Sequence, residues 1–212
     1  LIVTGSHLSA EYGNTYKEIE KDGFKIDAKV KILTKNDNFY SVSKATADGL
    51  IGLSKVYSKI KPDLIIILGD RYEMLAAASA ALFNNIAIAH IHGGESTEGS
   101  IDEAIRHSIT KMSWFHFTAT KKYKQRVIQL GESPSRVFNV GGMGVYTISK
   151  TKFYSKKELE KKFSIKFKKL NFLVTIHPVT LEEKFLQTNI TQVLKVLKNY
   201  KNANIFFTMP NA

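Results

Sequence analysis

The chain has 212 residues, 43% of them hydrophobic, no cysteine and a formal net charge of +12. That length buries a full core in one large domain, or in one domain and part of a second. The composition excludes disulfides, zinc–thiolate sites and a thiol nucleophile, and no apolar run approaches the roughly 20 residues of a membrane helix.

The opening LIVTG reads as a strand rather than a secretory leader. Together with the lack of cysteine, this makes the cytoplasm the expected location, with no membrane partner. The start without methionine and the stop at MPNA, directly after an apparent strand, lead us to expect a chain truncated at both ends. The positive charge is uneven: KTKFYSKKELEKKFSIKFKKL (150–170) holds nine lysines. No arginine-rich, aromatic-interleaved element accompanies them, so a solvated helix with its flanks is expected there rather than a nucleic-acid surface.

In chain order, LIVTG (1–5) is a short strand and EYGNTYKEIEKDG (11–23) contains a polar helix ending on Gly23. FKIDAKVKI (24–32) alternates like a strand, and residues 41–60 carry apolar side chains at helical spacing. Leu64 to Leu68 are all apolar, as in a parallel strand buried on both faces. An alanine-rich helix follows (71–85), then a strand (85–92), a helix (100–112), a strand (114–120), a helix (121–131) and a strand (137–142). Strands alternating with helices specify βαβ units and a parallel sheet. Residues 145–170 read as a helical connection, and 171–178, 191–200 and 204–210 as the strand–helix–strand start of a second α/β domain. The domains are accordingly placed at 1–166 and 167–212. A P-loop and a GxGxxG opening a helix are both absent; VGGMGVYT (140–147) lacks the spacing.

Ligands of open α/β sheets bind outside the carboxyl ends of the strands. Gly69-Asp70-Arg71 follows one strand, His90-Ile91-His92-Gly93-Gly94-Glu95 the next, and His177-Pro178 a third. Asp70 suits a helix N-cap or a fixed carboxylate. His90 and His92 lie two apart on a strand, so they are expected on one face, and form a metal-like pattern with Glu95 that lacks helix-borne partners. Ser100 and Glu103 fit a capping box, with Asp102–Arg106 and Glu103–His107 as i,i+4 pairs. His116, Trp114 and the flanking phenylalanines read as structural core, and His7 has no assignment.

LGDRYEMLAAA (68–78), IAHIHGGESTEGSIDEAIRHSITKMS (88–113), RVIQLGE (126–132), TIHPVT (175–180) and MPNA (209–212) resemble the hydrolysing UDP-N-acetylglucosamine 2-epimerases. The resemblance implies a GT-B-like fold of two Rossmann-type domains with a UDP-sugar between them. It implies loss of UDP with removal of the C2 proton, then water addition that releases N-acetylmannosamine for sialic-acid synthesis. It implies no metal or other cofactor, no nucleic-acid partner, and a homodimer or homotetramer. Carried over by motif, Asp70 and Asp102 are acid/base residues, His177 contacts the diphosphate and Asn211 the nucleotide. Arg71, His90, Glu103 and Arg106 are expected substrate contacts. Many relatives read HIEGGE where this chain has His92, so either His92 or Glu95 takes that acid/base role. The N-terminal strand with a TGxRxxYG-type loop is expected before Leu1, and a serine-rich phosphate loop after Ala212, which leads us to expect no activity from the fragment itself. Alternatives are the same reaction on a nucleotide-linked 2,4-diacetamido-2,4,6-trideoxy sugar, a non-hydrolysing epimerase (typically HVEAG), a GT-B glycosyltransferase, or an RNA-binding module.

Overall fold

The computed structural model describes residues 1–34, 38–176 and 183–208, without the side chains of 183–189. It contains two compact units, Leu1–Met143 and Gly144–Ala212. The sequence-based boundary after 166 grouped the helices of 145–166 with the first unit, whereas the compact division groups them with the second.

In the first unit, β1 (Ile2–Thr4) pairs in parallel with β2 (Ala28–Val30), with the short helix α1 (Tyr16–Lys21) between them.

Helix α2 (Phe39–Ile60) starts where the Asn38 side chain accepts from Ser41 N–H. β3 (Leu64–Leu68), β4 (Ala87–Ile91), β5 (Phe115–Thr118) and β6 (Val137–Asn139) then form a parallel sheet in sequence order. They alternate with α3 (Tyr72–Phe83), α4 (Ile101–Met112) and α5 (Lys121–Gln129). Five buried alanines (76, 77, 78, 80 and 81) let α3 lie close to α2, β3 and β4. Ile67, Ile88, Ile109 and Ala78 anchor this core. Burial of each such isoleucine stabilises the fold by about 2 kcal/mol.

The unbroken apolar run of β3 was expected to be buried on both faces. Instead Ile67 is buried while Ile66 is 68% exposed, because α3 covers one face only. Trp114 was expected in the core; it is 55% exposed, with the Arg136 guanidinium 3.9 Å above its ring. His116 is fully buried, as a structural residue should be. Its Nε2 lies 3.2 Å from Glu132, whose other oxygen accepts from Lys111 at 2.5 Å.

The second unit holds α6 (Met143–Lys150, beginning on the last residue of the first unit), α7 (Lys156–Phe163), β7 (Leu170–Val174), α8 (Glu183–Leu197) and β8 (Ala203–Phe207). A capping box between Ser155 and Glu158 starts α7. β7 and β8 pair in parallel, as strands joined through a helix do. All nine lysines of 150–170 are exposed, in keeping with a solvated surface.

Candidate active site

The carboxyl ends of β3 and β4 and the first turn of α4 bring most of the candidate residues together. His177 and Asn211 lie outside the described residues.

Asp70 is not the cap of α3. Arg71 occupies that position without a side-chain cap, and Asp70 forms an ion pair with Arg106 of α4. Arg106 is buried, so the pair is only partly screened by solvent. The same Nη2 donates to Thr97 Oγ1 at 3.0 Å, and Nη1 has no hydrogen-bond partner among the described residues. The predicted Asp102–Arg106 pair is replaced by this longer-range one. Asp102 instead accepts from the Ser100 hydroxyl at 2.5 Å.

Ser100 does cap α4, but through Asp102 N–H. The predicted capping box is not made, because Glu103 reaches back past Ser100. It accepts from Ser96 Oγ at 2.8 Å and Thr97 N at 2.6 Å. Those two bonds hold its carboxyl below the usual carboxylate range. Glu103 thus fastens the loop over the site. The expected Glu103–His107 pair is present at 3.7 Å.

His90 and His92 do not share a face. β4 ends at Ile91, and His92 adopts φ +68°, a left-handed conformation unusual for a side chain with a Cβ. This turn swings its ring out of the strand, where Nδ1 lies 2.6 Å from Glu95 Oε1. His90 points into the core and is fully buried, so it is not a substrate contact. Among the described residues no group of three His, Asp or Glu could hold a metal ion.

The glycine pair fits two tight spaces. A Cβ on Gly94 (φ +79°) would come within 2.5 Å of the Tyr123 carbonyl oxygen. Arg126 Nη1 donates to the Gly94 carbonyl at 2.6 Å, so α5 clamps the turn that carries Glu95. Arg71 pairs through Nε with Glu73 at 3.3 Å, and buried Glu73 abuts Gly5 behind β1. Glu73, Thr97 and Arg126 were missed in the sequence. All three fall inside the quoted motifs, but only contacts between elements single them out.

The arrangement offers a part-buried carboxylate–guanidinium pair beside a histidine–carboxylate dyad, both at the ligand-binding edge of a parallel sheet. It can move protons and offset developing negative charge.

Residues 1–212 match the family described as UDP-N-acetylglucosamine 2-epimerase. The chain is 47% identical over 212 residues to the GDP/UDP-N,N'-diacetylbacillosamine 2-epimerase (hydrolyzing) of Campylobacter jejuni, covering 100% of the chain and 55% of that protein. It is 40% identical over 206 residues to polysialic acid biosynthesis protein P7 of Escherichia coli, covering 97% of the chain and 52% of that protein. It thus spans about half the length of these relatives. The Methanocaldococcus jannaschii UDP-GlcNAc 2-epimerase, solved in complex with UDP-GlcNAc and UDP, superposes with a TM-score of 0.76 at 20% identity. That match covers 99% of this chain and 57% of the solved one. The fold is accordingly the GT-B-like α/β type expected from the sequence. With its motif residues gathered at one sheet edge, the chain belongs to the UDP-N-acetylglucosamine 2-epimerase family.

Proposed function

We propose that the protein carrying this chain is a hydrolysing 2-epimerase of UDP-linked 2-acetamido sugars. Its first substrate is the 2,4-diacetamido-2,4,6-trideoxy sugar nucleotide, UDP-N,N'-diacetylbacillosamine. The support for that substrate is the Campylobacter jejuni relative. UDP-N-acetylglucosamine, giving N-acetylmannosamine for sialic acid, is the second reading, supported by the Escherichia coli relative. The expected setting is a cytoplasmic homo-oligomer without a metal cofactor.

The single observation carrying the reaction type is the Asp70–Arg106 pair set beside the His92–Glu95 dyad. In the first stage a base takes the C2 proton, the C–H electrons form the C1=C2 bond, and UDP leaves with the C1–O pair. In the second, water adds its hydroxyl to C1 and a proton returns to C2 on the opposite face. His92 is the acid/base at the position where relatives carry glutamate. Glu95 accepts its Nδ1–H and so leaves Nε2 as the reactive nitrogen. Asp70 is the second acid/base group, and Asp102 stands at the first turn of α4 as a third carboxylate. Arg71 and Arg106 offset charge on the diphosphate side, with His177 and Asn211 as further nucleotide contacts.

A proton NMR time course in D2O tests this with both sugar nucleotides. Free 2-epimeric sugar carrying deuterium at C2, together with UDP, is the expected product. Return of a UDP-linked epimer would assign the non-hydrolysing reaction instead. Turnover of UDP-N-acetylglucosamine in preference to the diacetamido sugar would reverse the order of substrates.

A further inference from the structure

His90 uses both ring nitrogens inside the protein. Nε2 lies 2.9 Å from the Gly69 carbonyl oxygen. A carbonyl only accepts, so Nε2 carries the ring hydrogen. Nδ1 is then an acceptor, and Thr110 Oγ1 lies 3.3 Å from it. The hydroxyl has one hydrogen, which it donates to the carbonyl oxygen of Arg106 at 3.0 Å, one helical turn earlier in α4, so its approach to Nδ1 is the longer arm of a three-centre bond. Gly93 closes the third side: a Cβ there would sit 3.1 Å from both His90 Nδ1 and Thr110 Oγ1.

The consequence lies in the peptide plane. Gly69 N–H donates to the Ile91 carbonyl at 3.1 Å, and its own carbonyl is held by His90. The peptide unit is planar, so fixing the Gly69 oxygen fixes the orientation in which Asp70 leaves β3. Gly69 has φ +85°, where few other residues would sit without strain. On the far side, the one hydrogen of the Thr110 hydroxyl is shared between the Arg106 carbonyl and the ring, and the Arg106 guanidinium meets the Asp70 carboxylate. Both halves of that pair are referenced to one imidazole.

We propose that His90 is a positioning residue for the Asp70–Arg106 pair, acting through the Gly69 carbonyl and the Thr110 hydroxyl and touching no substrate. The proposal rests on the reading of Asp70 as an acid/base group.

The test compares Thr110→Val, Thr110→Ser and Gly93→Ala in the full-length protein. Kinetics are read alongside the 13C shift of the Gly69 carbonyl and the His90 ring tautomer from long-range 1H–15N spectra. Thr110→Val keeps the side-chain volume and removes the hydroxyl. It lowers kcat about 10-fold with KM within about twofold, because a sub-ångström displacement of a reacting group suffices. Thr110→Ser restores most of the rate. Gly93→Ala removes no polar group yet moves the Gly69 carbonyl shift and lowers kcat in the same way.

A His90 ring protonated on Nδ1 alone would overturn the proposal. So would an unchanged kcat in Thr110→Val, or a KM that rises as kcat falls. Failure of the wild-type protein to turn over any sugar nucleotide would count against the epimerase reading alone. The tautomer and the carbonyl shift then still decide the positioning geometry, and a Gly69 carbonyl unmoved in both Thr110→Val and Gly93→Ala would overturn it.

Discussion

His90 and His116 face each other in register on neighbouring strands, and both are fully buried. Their surroundings differ in one respect. His90 meets a carbonyl and a hydroxyl at the ligand-binding edge, and burial pushes it down to about 4. His116 meets the carboxylate of Glu132, which is also held by Lys111. Burial lowers His116 as well, but the carboxylate opposes it. Equal burial therefore serves two ends: a neutral ring that orients a functional loop, and a charged cluster that fastens α4 to the segment after α5.

The largest effect that sharpens this contrast is at the functional edge. Asp70→Asn is expected to lower kcat ~100- to 10,000-fold, the range for loss of an acid/base group. Near-normal turnover in a steady-state assay would remove Asp70 from the catalytic set.

The next effect is on stability. Above pH 6.5 the His90 ring is neutral in the folded and unfolded chain alike. Between 6.5 and about 4 only the unfolded chain takes up the proton, so stability falls as pH falls through that window. The loss attributable to His90 is on the order of 3 kcal/mol by pH 4. Denaturant unfolding of wild type and His90→Gln at pH 7 and pH 4.5 checks this, since the variant lacks the titrating ring and should show a shallower decline.

The smallest effect belongs to the other histidine. Glu132→Gln should cost about 2 kcal/mol of stability, as for a lost charge-assisted hydrogen bond, and leave kcat within about threefold. A large loss of kcat at unchanged stability would mean that the two regions are not separate.

Much of the architecture was readable from local pattern. The alternation of strands and helices, the parallel pairing and the second α/β unit follow from apolar periodicity and from glycine and asparagine punctuation. The candidate site was readable as a set of residue types at strand ends, because that is where an open α/β sheet accepts ligands. The partners were not. Asp102–Arg106 and Ser100–Glu103 are what helix spacing alone predicts, yet Arg106 reaches Asp70 and Glu103 reaches Ser96 and Thr97. Local rules rank contacts by sequence separation, while a buried guanidinium takes the carboxylate that packing brings to it.

His90 and His92 show the division most sharply. The sequence by itself determined that two histidines, two glycines and a carboxylate follow an apolar strand, and hence that the edge beyond β4 is the place to look for a site. Only the tertiary structure decided that β4 stops at Ile91 and that His92 turns out at φ +68° to meet Glu95, while His90 stays inside against Gly69 and Thr110. Strand periodicity says which residues share a face only while the strand lasts. Where it ends, and which neighbours then hold the turn, as Arg126 holds the Gly94 carbonyl, no local pattern contains.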